Sequence, residues 1–74
     1  MARALHVFKG DHAAEAGAVI ARAVAAGDQV DVALLAGARA PALPAGVTIH
    51  RVPDEASYER LVELIFAADS VVTW

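Results

Sequence analysis

Four short apolar runs alternating with two stretches of helical spacing leave this chain few folds to choose from. The runs are Ala4 to Phe8, Gln29 to Leu35, Val47 to Val52 and Ser70 to Trp74, each of strand length. Between the first two, an alanine-rich stretch from Asp11 to Ala26 carries Val19, Ile20 and Val24 at helical spacing. Asp11 is placed to cap its first turn and Gly27 to close its last. Between the third and fourth runs, Tyr58, Leu61, Val62 and Ile65 make a second helical stripe, with Glu55, Glu59 and Glu63 on the opposite edge and Asp54 as the expected cap. The connection from Gly37 to Gly46 holds Pro41 and Pro44 and predicts a loop or a single turn.

The resulting order is strand, helix, strand, loop, strand, helix, strand. Such alternation predicts an α/β fold: a single small domain built on a mainly parallel four-stranded sheet. Right-handed crossovers then suggest the spatial order 2-1-3-4, with helices on both faces. Parallel sheets are normally shielded on both sides, and two helices are few for four strands. The 74 residues are 58% hydrophobic, yet 19 of them are alanine, so the large side chains available to a core are scarce. Both arguments lead to a homo-oligomer, a dimer or larger.

Composition removes several kinds of chemistry. With no cysteine, the chain can form no disulfide, thiolate metal site or cysteine nucleophile of its own. A net charge of -3 and few aromatics argue against a nucleic-acid partner. No apolar run approaches the roughly 20 residues of a membrane span, so the expectation is a cytoplasmic protein with no membrane partner. Ser57 and Ser70 lack a histidine at hand, and no catalytic constellation is evident. The chain reads as no enzyme, with no cofactor.

Two groups of residues remain as candidates. Beyond the carboxyl ends of the first and third strands, Lys9, Gly10, Asp11 and His12 would meet Asp54 near two helix amino termini, a possible seat for a small anion or metabolite. Tyr58, Phe66 and Trp74 are the candidate interface residues, as large apolar side chains on the second helix and the last strand. His6 and His50 could share a face if the first and third strands are neighbours. Two imidazoles without a further ligand make no metal site, and none is expected.

The segments LHVFKGDHAAE at 5 to 15, GDQVDVALLAGA at 27 to 38, VTIHRVPDE at 47 to 55 and the terminal VVTW at 71 to 74 resemble the DsrE/DsrF/DsrH-like family, best the small DsrH or TusB-type subunits. The resemblance implies a small cytoplasmic α/β subunit of an oligomeric sulfur-relay assembly, of the kind that passes persulfide sulfur toward tRNA thiolation or sulfur oxidation. Active relay subunits use cysteine; here no residue can inherit that part. What the resemblance leaves is a non-catalytic role, organising partners that include cysteine-containing relay subunits. It also implies a helical segment between the second and third strands, where this chain has only 37 to 46.

Overall fold

The computed structural model describes residues 2–10, 15–39 and 42–74. Its elements are β1 (Arg3–Phe8), α1 (Ala16–Ala25), β2 (Gln29–Leu34), β3 (Thr48–Arg51), α2 (Tyr58–Ala67) and β4 (Ser70–Thr73). All strand pairs are parallel, and the molecule is the α/β domain that the alternation predicts.

The strand order is β3-β2-β1-β4, not the expected 2-1-3-4. The connection from β2 to β3 explains the difference. It contains no helix among the described residues. It must nevertheless run back the length of a strand, about 20 Å at roughly 3.3 Å per residue, before β3 can start in parallel. Little chain is left to carry it across β1 as well, so β3 takes the free edge of β2. The longer return through α2 then makes the jump over β2 and β1 to β4.

Alternation along the strands divides the core in two. Phe8, Val30, Val32 and Leu34 meet Ala16 and Ile20 of α1 on one face. Leu5, Val7 and Ala33 meet Leu64 of α2 on the other. The helices thus lie on opposite faces, as two crossovers travelling in opposite directions across the sheet require. Alanines at 16 and 23 let α1 sit close to the strands, and Gly27, at φ 89°, ends it: the Gly27 and Asp28 amides donate to the carbonyls of Val24 and Ala23. On the α1 face the connection from β2 to β3 fills in, with Ala38, Leu43 and Val47 packed on the same cluster.

Helix α2 starts one turn later than the sequence suggests. Its cap is Ser57, whose Oγ accepts from the Arg60 amide at 3.1 Å, while Asp54 stays in the preceding turn. Ser57 wins because it stands three residues before Arg60, the spacing at which a side-chain oxygen reaches a first-turn amide. The expected Asp11 cap of α1 lies outside the described residues.

Leu64 anchors α2 on the sheet, whereas Phe66 on the outer side of the same helix is 84% exposed. Leu64→Ala should therefore cost about 2–5 kcal/mol, a large part of the stability of so small a domain, and Phe66→Ala within about 0.5 kcal/mol of nothing. Chemical denaturation of the two variants checks the contrast.

Candidate functional site

With β4 rather than β3 beside β1, the chain's direction across the sheet reverses between β1 and β4, and the crevice beyond their carboxyl ends is where an open α/β sheet places ligands. Lys9 and Gly10 leave β1 at that point, with the Lys9 side chain exposed. Asp11 and His12 lie outside the described residues. Asp54 follows β3 and is separated from the end of β1 by all of β2, roughly 10 Å at normal strand spacing. Lys9 and Gly10 therefore do not meet Asp54 as the order 2-1-3-4 would have made them.

What stands at the crevice is Trp74. Its backbone amide donates to the Val7 carbonyl at 2.8 Å, and its carbonyl accepts from the Lys9 amide at 3.3 Å, extending the β4 to β1 pairing by one step. The indole turns inward on the α1 face, packs on the Phe8 and Ile20 cluster and lies nearly parallel to the His6 ring, with centroids 6.1 Å apart. Its Nε1–H donates to His6 Nδ1 at 3.0 Å. That bond fixes the ring as the tautomer with its proton on Nε2, since Nδ1 must accept. Burial lowers the His6 pKa from the ordinary 6.5.

His6 and His50 do not come together. In register His6 faces Val32 and Val32 faces Ile49, so His50, one residue on, points to the opposite face with β2 in between. No group of three potential metal-ligating side chains gathers among the described residues.

On the α2 face a different polar cluster forms, one that pattern reading missed. Asp31, only 4% exposed, sits in the middle strand pair and is reached from both sides. Arg3 Nε donates to its Oδ2 at 3.2 Å, and His50 Nε2 lies 3.4 Å from its Oδ1. The cluster spans β1, β2 and β3 and finishes the part of this face that α2 leaves free. An aspartate inside an otherwise apolar strand was the available signal, because a buried carboxylate needs partners. Nearby, Asp69 pins the start of β1 by a reciprocal pair: the Arg3 amide donates to Asp69 Oδ2 at 2.8 Å, and the Asp69 amide to the Arg3 carbonyl at 2.7 Å.

Tyr58 and Phe66 are exposed on α2, together with Val62 and Ile65. β4 is uncovered as well. Val71 shares the α2 face with Leu5 but is 42% exposed, because α2 packs on residues of β1 and β2; Val72, on the α1 face beside His6, is 38% exposed. No described helix is long and apolar enough to cross a membrane. A scan against family models finds no match, and searches of curated proteins and of solved structures return none.

Two outcomes follow from these contacts. A lowered His6 pKa means the fold prefers the neutral ring. Its stabilising contribution is complete above pH about 6.5 and is lost as pH falls through the lower folded value. Melting temperature should decline toward mildly acidic pH more steeply in the parent chain than in His6→Asn, whose side chain does not titrate. Removing the Asp31 carboxylate in Asp31→Ala strands Arg3 and His50 together and should cost about 1–3 kcal/mol, discounted because Arg3 is partly solvated; Arg3→Ala, measured in the same denaturation series, should cost less.

Proposed function

We propose that this chain is a non-catalytic subunit that organises protein partners, in the manner of the DsrH or TusB-type sulfur-relay proteins its sequence resembles, and that it does so as a dimer or larger assembly. The observation that carries the reading is the contrast between the two edges of the sheet. β3 ends one side with a histidine and an arginine, and its Thr48 and His50 make a polar finish beside Asp31. β4 ends the other with Ser70-Val71-Val72-Thr73, all exposed, without a charge or a proline, and with both valines about two-fifths open on opposite faces. Natural sheets protect an edge that must stay in solvent with charge, proline or a bulge. An edge left apolar on both faces has the composition of one that another polypeptide covers.

Sulfur transfer itself is left to partners in this reading, because the chain has no thiol. A cysteine-bearing relay subunit seated on the β4 side would be held and oriented by surface alone. The alternative reading, a small anion or metabolite at the turn after β1, retains Gly10 and the exposed side chain of Lys9, which follow β1 at the crevice end of the sheet, but not Asp54. In that case Lys9→Ala would abolish a ligand-induced thermal shift and leave assembly unchanged.

Light scattering coupled to size exclusion is the primary test. The parent chain should elute as a dimer or larger at micromolar concentration, and Val71→Lys with Val72→Lys should yield a folded monomer. A parent chain that is monomeric throughout that range would overturn the assembly.

A further inference from the structure

We propose that the outer face of α2 is the docking site for an amphipathic helix with a basic flank, carried by a protein partner. The inference deepens the partner-organising reading and rests on it for biological sense, though the surface concerned is separate from the β4 edge.

Helix α2 has two apolar sides. One, through Leu61 and Leu64, is spent on the sheet. The other runs Tyr58, Val62, Ile65 and Phe66, at spacings of three and four, and is open to solvent along its whole length. Scattered single apolar residues on a surface need no explanation, but four in register on one helix are the anchor pattern by which an amphipathic helix is held.

Charge decides the kind of partner. Glu59 and Glu63 form a row immediately beside Val62 and Phe66, because residues three and four apart are neighbours on a helix. Arg60 lies on the far side of that row, 4.0 Å from Glu63, and so does not border the apolar stripe, while Arg51 pairs with Glu55 at 3.7 Å. The last turn of α2 contains no basic residue. Within α2 itself, then, no side chain of the last turn offsets the carbonyl end, the negative end of the helix dipole, where Phe66 stands exposed. Lysine or arginine next to an apolar anchor on the partner would answer both features and could sit against the ring face.

An antiparallel second copy of α2 fits poorly. Packed antiparallel about a two-fold axis, each acidic row would run along its own image, setting Glu59 and Glu63 against like charges. A basic helix meets the same row with opposite charge.

The test uses the full chain and two synthetic helical peptides with an identical leucine repeat, one carrying lysine and the other glutamate at the flanking positions. Titration calorimetry should give saturable binding of the lysine peptide, at least about tenfold tighter than that of the glutamate peptide. Phe66→Ala should weaken it by about tenfold, as for a central aromatic anchor. Glu59→Lys with Glu63→Lys should reverse the preference between the peptides. Circular dichroism checks that each variant is folded. Binding of the lysine peptide that ignores Phe66 would be unspecific attraction and would overturn the proposal, as would absence of binding. So would a parent oligomer that Phe66→Asp converts to monomer, since the stripe would then be covered by a second copy. A monomeric parent chain that still binds with the stated dependences would sink the assembly through β4 while leaving this site intact.

Discussion

The fold depends on β1 being held from both sides at once. Its residues 4 to 8 are buried to less than a tenth exposure, and in a parallel sheet such a strand must find hydrogen bonds along both edges and apolar cover on both faces. β2 supplies one edge and β4 the other; α1 and α2 supply the faces. Because β4 is short and weakly covered, it is held by more than its ladder. Asp69 clamps its entry through the Arg3 backbone, and Trp74 clamps its exit through Val7, Lys9 and the His6 ring. The indole thus completes the α1-side core while fixing the strand that leaves most surface for others.

The two faces are finished by different means. On the α1 side, a helix and a proline-containing loop together hide the apolar residues of β1 and β2. On the α2 side there is one helix, and what it leaves bare differs from left to right: a satisfied polar cluster of Arg3, Asp31 and His50 toward β3, and Val71 toward β4. A buried carboxylate with two donors rarely exceeds a well-packed apolar trio in stability, but it tolerates water where no helix lies above it. The polar half can therefore face solvent without a partner. The apolar half has no such provision.

The class of fold was legible because strand and helix periods differ, and the switches between them at Lys9-Gly10, Gly27 and Pro53 are sharp. Strand order was not, since nothing in the apolar pattern of Val47 to Val52 distinguishes a place beside the first strand from one beside the second. That single uncertainty propagated into the candidate site: the same error that seated Asp54 near Lys9 also let His6 and His50 share a face. Trp74 was visible as an unusual residue, yet its hydrogen bond to a ring 68 positions earlier is a tertiary fact with no local trace. Tyr58 and Phe66 were legible as apolar and on a helix; which of that helix's two apolar sides would be buried depended on Leu61 and Leu64 reaching the sheet first.

Placing β4 next to β1 has a kinetic side as well. The central strand receives its second neighbour from residues about 66 positions further along, so the ladder that completes the sheet must close a loop spanning nearly the entire sequence. Loop entropy grows only slowly with length, but such non-local pairing is gained late and shifts folding toward the slower end of the range for small α/β chains. Until that moment β1 carries an open edge flanked by Leu5, Val7 and Phe8. During synthesis, the half-made sheet is a sticky object for as long as the ribosome takes to deliver β4.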